Sequence, residues 1–266
     1  MITRNTQVGS RVFQLEESFD PTTSSSNEDK NSGASRSEIA RRGLSDYANH
    51  GVWGVDENNA VWYREGVSGE WQQIIGQLLK QVSVSDDGQH VWGVDENNAV
   101  WYRAGREGSF QQITGQLLKQ VSVSDDGQHI WGVDADAKIW YRAGREGSWE
   151  LIDGELTQIS VSGNGQHVWG INDVNLSIWY RAGGREGSWE QIDGALTQVS
   201  VSGDGQHVWG VNYENKVLYR EGESWVETNG DLKYVDVGGR SKVLLEASLE
   251  VSQGSNICPN LTLFCG

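Results

Sequence analysis

The chain has little cysteine, proline or methionine, and it lacks a long apolar run: two cysteines, two prolines and one methionine occur in 266 residues. Without about 20 consecutive apolar residues, we expect no transmembrane helix. Basic residues are also scarce, since 21 lysines and arginines stand against 37 aspartates and glutamates, for a formal charge of −16. Such an acidic surface repels polyanions, so we expect neither nucleic acid nor anionic membrane as a main partner.

The N-terminus has no apolar core behind Arg4, which is not typical of a signal peptide. We therefore expect a cytoplasmic protein, or one that reaches the cell surface by a non-classical route. The two cysteines, Cys258 and Cys265, lie seven residues apart near the C-terminus. They could close a hairpin disulfide in an oxidising compartment or remain free thiols, and the sequence leaves both open.

Motifs of catalytic sites are also missing. The chain contains neither G-x-S-x-G nor H-E-x-x-H, and its paired acids recur in every repeat as turn residues. The sequence therefore predicts a protein that is not an enzyme and that carries no cofactor.

Glycine and tryptophan are abundant, with 34 and 13 residues, and they recur at a regular period. The motif W-G-[VI] starts at positions separated by 39, 39, 38 and 40 residues: Trp53, Trp92, Trp131, Trp169 and Trp209. W-Y-R follows at Trp62, Trp101, Trp140 and Trp179 and becomes L-Y-R at 218–220. A third aromatic recurs at Trp71, Phe110, Trp149, Trp189 and Trp225. Five copies of one unit are therefore present.

Residues 81–115 illustrate what one copy forms. Alternating apolar and polar residues predict strands at "QVSVS", "HVWGVD", "AVWYR" and "FQQIT", separated by the turn signals "DDG", "ENN" and "AGREGS". Four antiparallel strands in about 40 residues are typical of one blade of a β-propeller. Such a blade has little core of its own, so its tryptophans become buried only against neighbouring blades.

The domain organisation follows from these copies. Residues 1–43 are polar and serine-rich, and we expect a mostly disordered extension with one ring-closing strand near 11–17. Residues 44–266 are predicted to form the propeller. Five clear repeats occupy 44–232, and a degenerate sixth without tryptophan occupies 233–266.

The stretch "QVSVSDDGQHVWGVDENNAVWYR", followed by G-x-W-x-x-I-x-G-x-L, resembles the tectonin repeat. The resemblance implies an all-β fold, a six-bladed β-propeller of four-stranded antiparallel blades. It also implies a lectin that recognises lipopolysaccharide or O-methylated sugars on bacterial or fungal surfaces, with a role in innate defence. Near-identical repeats would make the binding multivalent, which raises avidity without new contacts.

Strand alternation places the first turn and the last loop of every blade on one rim. There aromatic, acidic, amide and cationic side chains gather, the chemistry that binds sugar rings and hydroxyls. The predicted ligand-binding residues on this rim are His90, Arg103, Glu107, Asp125, His129, Arg142, Glu146, Trp149, His167, Arg181, Trp189 and His207.

Each of these residue types also has a structural interpretation. The tryptophans can form the core between blades, and the arginines can pair with an aspartate of the first turn. The regular histidines suggest a metal, but equivalent positions around a ring lie too far apart for one ion, so we predict no metal site.

Two other functions stay open at this point. A propeller can serve as a scaffold for protein partners, although near-identical blades offer no unique epitope. It can also be a subunit that targets a partner to a glycan surface, joined through the terminal cysteines. Homo-oligomer formation is compatible with any of these.

Overall fold

The computed structural model describes residues 51–66 and 69–237. The predicted extension 1–43, its strand near 11–17 and the Cys258–Cys265 pair lie outside the described residues. So does most of the predicted sixth repeat, of which only 233–237 is described.

Nineteen strands form five antiparallel sheets in the described part of the chain. Sheet 1 contains β1 (Gly51–Val55), β2 (Val61–Glu65) and β3 (Gln72–Ile74). Sheet 2 contains β4 (Gln81–Val84), β5 (His90–Val94), β6 (Ala99–Ala104) and β7 (Gln111–Leu117). Sheet 3 contains β8 (Gln120–Val123), β9 (His129–Val133), β10 (Lys138–Ala143) and β11 (Glu150–Glu155). Sheet 4 contains β12 (Gln158–Val161), β13 (His167–Asn172), β14 (Ser177–Ala182) and β15 (Trp189–Ile192), and sheet 5 contains β16 (Gln198–Val201), β17 (Val208–Val211), β18 (Lys216–Glu221) and β19 (Ser224–Asp231).

Within a four-stranded sheet we call the strands inner, second, third and outer, in chain order. They pair sequentially, so each sheet is an up-and-down meander. Sheet 1 has only second, third and outer strands among the described residues. A short 3-10 helix, Gly184–Glu186, lies in the last loop of sheet 4. No helix in the part of the chain that the structure describes is long and apolar enough to cross a membrane.

The hydrophobic cores lie between consecutive sheets rather than within one sheet. The cluster around Trp92 joins Val94 and Tyr102 of sheet 2 to Val121 and Ile130 of sheet 3. Equivalent clusters form around Trp131 and Trp169. Trp92 and Trp131 are completely buried. The expectation that the W-G-V tryptophans form the core between blades is therefore confirmed at Trp92, Trp131 and Trp169, whereas Trp53 and Trp209 are only half-buried.

Glutamine side chains connect the inner strands around a central channel. Gln158 of β12 donates its Nε2 to the carbonyl of Val199 in β16 at 2.8 Å and accepts the Val199 amide on Oε1 at 3.0 Å. The Ser160 hydroxyl accepts the backbone amide of Val201, two residues after Val199 in β16, at 3.1 Å. The same pattern recurs from Gln81, Gln120 and Gln198. The inner strands of adjacent sheets are not paired with each other. The glutamine side chain of one inner strand instead makes the hydrogen bonds to the backbone of the next.

Replacing Gln158 by leucine is expected to lower the free energy of unfolding by about 1–3 kcal/mol. The substitution leaves an amide and a carbonyl of β16 without their partner in the channel wall. Urea unfolding followed by circular dichroism measures the loss. Gln191, an exposed residue of β15, is the control, and its replacement by leucine is expected to change stability by less than about 0.5 kcal/mol. Equal midpoints for the two variants would contradict a structural role for the glutamine ladder.

The prediction of six blades is wrong in its count, because the described residues form five sheets. Four are four-stranded, as expected. The strand–turn rhythm of the last copy suggested a further blade. However, that copy has no tryptophan to fill a junction between sheets, and only its first strand position, 234–237, is described. This segment lies where the next inner strand belongs, since Gln198 bonds both backbone groups of Val235.

Candidate functional site

In sheets 2, 3 and 4 the first turn and the last loop meet on one rim, as the strand alternation predicts. Gly105 donates its amide to the Gln89 carbonyl at 2.9 Å, and Gly144 donates to Gln128 at 2.8 Å. We call this edge the upper rim. The second turns and the links between sheets form the lower rim, where Leu118 donates its amide to Asn98 at 2.7 Å.

The predicted histidines lie on the upper rim, where three of them contact the following sheet. His129 Nδ1 lies 3.0 Å from the Tyr141 hydroxyl, and a Cβ on Gly165 of sheet 4 would come within 2.3 Å of the His129 ring. His90 and His167 make the same contacts with Tyr102 and Tyr180 at 3.2 and 2.7 Å and with the next first turn. His207 instead lies 3.9 Å from the Asp204 carboxylate.

Burial raises the pKa of the Tyr102, Tyr141 and Tyr180 hydroxyls, so these groups stay protonated at neutral pH. A protonated phenol can donate to the neighbouring imidazole of its own sheet and so orient the histidine ring that contacts the next sheet. Ligand binding by the histidines stays a prediction.

The predicted arginines of the third strands are buried and brace their own last loop. Arg103 donates Nε to the Gly105 carbonyl at 3.0 Å and Nη2 to the Arg106 carbonyl. Arg142 donates to the Arg145 carbonyl, and Arg181 donates to Gly184 and Arg185, both at 2.9 Å. The guanidinium groups of Arg103, Arg142 and Arg181 lie 5.3–5.6 Å from the ring centres of Phe110, Trp149 and Trp189.

The alternative that these arginines pair with an acid of the first turn is not what the structure shows. The second acid of the first turn caps that turn, as Asp126 does by accepting the Gln128 amide at 2.9 Å. Burial lowers the pKa of Arg103 and Arg142, and Glu107 and Glu146 partly oppose that shift. The main hydrogen-bond partners of these arginines are therefore the backbone carbonyls of the last loop.

The remaining predicted rim residues are dispersed. Glu107 and Glu146 are exposed and pair with Arg106 at 3.5 Å and Arg145 at 3.4 Å. The Asp125 carboxylate lies against Gly163 of sheet 4, within 1.8 Å of where a Cβ there would sit. Among residues 51–66 and 69–237, no group of three or more histidines, cysteines or acids is arranged to hold a metal ion.

The aromatic residues that begin the outer strands reach back to the preceding sheet. A Cβ on Gly154, near the end of β11, would lie 3.2 Å from the Trp189 indole. Gly154 adopts φ = 103°, a backbone conformation that favours glycine. Its lack of a side chain leaves space for the Trp189 ring. Trp189 donates Nε1 to the Asp153 carbonyl at 2.8 Å. The indole is thus fixed across the junction.

A cavity of about 270 Å³ opens beside Trp189, between sheets 3 and 4. Two indoles, Trp179 and Trp189, share it with polar side chains from both sheets. Its other lining residues are Ile139, Gly154, Glu155, Leu156, Asn172, Asn175 and Ser177. Indole faces next to amide, hydroxyl and carboxylate groups can bind a ligand that has both an apolar face and several hydroxyls.

The second turn of sheet 4 differs from its counterparts and forms one wall of this cavity. In sheet 3, Trp140 donates Nε1 to the Asp134 carboxylate at 2.9 Å, and sheets 1 and 2 have the same bond at 3.0 Å. In sheet 4 the aspartate is replaced by Asn172, and the turn contains one more residue. Trp179 consequently donates to the Ser177 hydroxyl at 2.8 Å. The altered turn places amide groups where sheets 1, 2 and 3 have a closed Asp–Trp pair.

Of the predicted ligand-binding residues, the cavity includes Trp189. The other lining residues lie toward the lower rim, which the sequence reasoning did not select. The replaced aspartate and the longer turn were visible in the sequence and could have indicated this junction.

The family model described as "Tectonin domain" matches residues 45–186 and 173–244. The chain belongs to the tectonin family. The two matches together cover well over half of the chain, and they include all five sheets and the segment 234–237. The W-G-V, W-Y-R and outer-strand aromatic positions are therefore those of tectonin repeats.

Among solved structures, the tectonin propeller is similar to one titled "Crystal structure of Nidogen/Laminin Complex". The identity is 11% and the TM-score 0.57, over 69% of this chain and 76% of that one. At this identity the likeness shows the fold alone. The search of curated proteins finds no match.

Proposed function

We propose that this tectonin protein binds glycans, and that the cavity between sheets 3 and 4 holds one sugar unit. The observation that carries the proposal is the pairing of two indoles with amide, hydroxyl and carboxylate side chains in a single concave site. Its volume of about 270 Å³ lies just below the roughly 300–1,000 Å³ typical of ligand sites, which suits a single ring better than an extended ligand. Membership of the tectonin family, which suggests a lectin-type propeller, supports the same class.

The charge around the site favours an uncharged sugar. The lining contains Glu155 and no lysine or arginine. The Arg181 guanidinium, which lies 5.5 Å from the Trp189 ring centre, is already paired with Asp153. We therefore propose neutral bacterial or fungal surface polysaccharide, including O-methylated sugars, ahead of the phosphate groups of lipopolysaccharide. Binding without catalysis is proposed, because the tectonin family is generally non-enzymatic.

Multivalency through the repeated upper rim is part of the proposal. Sheets 2, 3 and 4 present similar loop pairs there, so weak contacts at several sheets would add avidity to the cavity. The predicted rim residues would supply those contacts from their exposed groups, such as the Glu107 and Glu146 carboxylates.

Replacing Trp189 by alanine is expected to weaken glycan binding at least tenfold, because it removes one of the two indole faces of the cavity. A glycan array first identifies the sugar, and calorimetry with that sugar measures the dissociation constant. Trp149→Ala is the matched control, since Trp149 is the equivalent residue of sheet 3 and lies outside this cavity. Circular dichroism confirms that both variants are folded.

Two results would count against the proposal. An array silent for neutral, methylated and anionic glycans alike would remove the function. Equal weakening by the Trp149 and Trp189 variants would leave a lectin but move its site away from the cavity.

A scaffold for protein partners is the second candidate, favoured by exposed apolar side chains on neighbouring second turns. Val174 of sheet 4 and Tyr213 of sheet 5 are largely exposed on the lower rim. A silent glycan array, together with a protein partner whose binding is lost on replacing both residues by aspartate, would support the scaffold.

A further inference from the structure

An arginine from the last loop of one sheet contacts the preceding sheet at three junctions on the upper rim. Arg145 of sheet 3 lies 5.2 Å from the centre of the Tyr102 ring in sheet 2 and donates Nη2 to the Gln111 side-chain oxygen at 2.6 Å. Tyr102 and Gln111 are directly opposite each other on β6 and β7, so their side chains share one face. The guanidinium thus binds an aromatic ring and an oxygen acceptor together.

The other two junctions have the same contacts, with ring distances of 5.1 and 5.9 Å and oxygen distances of 2.6 and 2.7 Å: Arg106 with Tyr63 and Gln72, and Arg185 with Tyr141 and Glu150. Each tyrosine is again directly opposite the residue that supplies the oxygen. In the second of these junctions the acceptor is the Glu150 carboxylate, so the hydrogen bond is charge-assisted.

The junction between sheets 4 and 5 has the receiving pair of residues without the arginine. Tyr180 and Glu190 are directly opposite on β14 and β15. The last loop of sheet 5, within "YREGESW" (219–225), is two residues shorter than that of sheet 3, within "YRAGREGSW" (141–149), and it contains no arginine at the corresponding place. Over the ranges 51–66 and 69–237, no cation lies on the Tyr180 ring and none pairs with Glu190.

The burial of the tyrosines reflects this difference. Tyr102 and Tyr141 are only 5% and 4% exposed, whereas Tyr180, which contacts its histidine in the same way, is half-buried. Burial raises the pKa of all three hydroxyls. The arginines of the next sheet oppose that shift at Tyr102 and Tyr141, whereas the Glu190 carboxylate adds to it at Tyr180. The pair in sheet 4 is therefore open and negatively charged.

The surroundings of this pair also favour a cation. The short loop of sheet 5 contributes two exposed carboxylates, Glu221 and Glu223. Arg220, the third-strand arginine of sheet 5, lies 5.6 Å from the ring centres of Trp169 and Trp225, between the two sheets. A guanidinium suits a tyrosine beside a carboxylate better than an ammonium does, because its planar fork can lie on the ring and still donate to the carboxylate.

We propose that Tyr180 and Glu190 form a binding site for an arginine side chain presented by a partner protein. The guanidinium of the partner lies over the Tyr180 ring and donates to the Glu190 carboxylate, as Arg185 does on Tyr141 and Glu150 at the neighbouring junction. The net charge of −16 attracts such a basic partner. The site is separate from the glycan cavity between sheets 3 and 4, so the inference does not depend on the proposed function.

Nuclear magnetic resonance titration of the full-length protein tests the site. The probe is a blocked pentapeptide with a central arginine flanked by glycines. It should shift the backbone signals of Tyr180 and Glu190 at millimolar concentration, and peptides with citrulline or lysine at the centre should shift them less. Glu190→Gln is expected to weaken binding at least threefold, because the charge-assisted bond is lost. Glu150→Gln is the matched control and should leave the dissociation constant unchanged, since Arg185 already covers that pair.

A loop graft tests the same site from within the chain. Replacing "EGES" (221–224) by "AGREGS", the loop sequence of sheet 3, supplies an internal arginine that should raise Tm by about 1–4 °C and abolish peptide binding. A graft of "AGQEGS" has the same length without the guanidinium and should still bind the peptide. Absence of shifts at Tyr180 and Glu190, equal shifts with the citrulline peptide, or unchanged binding in Glu190→Gln or in the arginine graft would overturn the proposal.

Discussion

Replacing Trp131 by alanine is expected to lower the free energy of unfolding by about 3–5 kcal/mol, the cost of a large cavity in a packed core. Trp131 is completely buried. Its ring lies edge-on to Tyr141 of the same sheet at 5.2 Å and to Trp189 of sheet 4 at 6.5 Å. Because the residue fills the junction of two sheets, its loss weakens both. Urea unfolding monitored by circular dichroism measures the change.

Two further variants separate volume from polarity. The Trp131 indole nitrogen is buried and has no hydrogen-bond acceptor among the described residues. Trp131→Phe therefore loses no hydrogen bond there, and it is expected to cost clearly less than alanine. Trp71→Ala removes an aromatic residue that is 48% exposed and should cost less than about 1 kcal/mol. If the alanine variants at 71 and 131 are equally stable, the cores do not lie between the sheets.

Replacing Arg181 by methionine is expected to lower stability by about 2–4 kcal/mol, because the guanidinium is buried and its bonds to the last loop of sheet 4 are charge-assisted. Methionine keeps an apolar stem beneath Trp189 but removes the guanidinium donor from the Gly184 and Arg185 carbonyls, and Gly184 keeps only the Gly187 amide. The ion pair with Asp153 at 3.1 Å contributes little, since the Asp153 side chain is 79% exposed. The main loss is therefore expected in the loop backbone.

Hydrogen exchange locates that loss. The Gly187 amide, which donates to the Gly184 carbonyl at 3.2 Å, should exchange faster in Arg181→Met than in the natural protein. Arg185→Met is the control, because Arg185 is partly exposed and its partners Glu150 and Glu186 are exposed as well. It is expected to cost less than about 1 kcal/mol. If Arg181→Met is as stable as that control, the buried arginine does not hold the loop.

The repeated histidines and arginines of the upper rim make structural contacts that their chemistry alone does not indicate. Histidine and arginine recur on the upper rim, where sugar-binding residues were predicted. However, His129 bonds Tyr141 and contacts Gly165 of the next sheet, and Arg142 braces its own loop. Side chains that recur in every repeat can serve what every repeat needs, which is a junction. The candidate cavity arises where sheet 4 departs from the repeat, at Asn172 and Ser177.

The sequence by itself determined the period, the four-strand unit, the turns and the tryptophans that form the core. These depend on local alternation of apolar and polar residues and on turn chemistry, which each copy of about 39 residues contains in full. The pairing of first turns with last loops on one rim follows from strand direction alone. The tectonin family could be identified at that level as well.

Only the tertiary structure decided the number of sheets, the location of the cavity and the separation of bracing from exposed side chains. Each depends on contacts between residues of different copies, such as the Trp189 indole over Gly154 or the Gln198 amide on Val235. The sequence pattern of one repeat does not indicate which residues of the next repeat its side chains will contact. That is set by packing sheets around a channel, where one added residue in sheet 4 changes what is buried and what stays open.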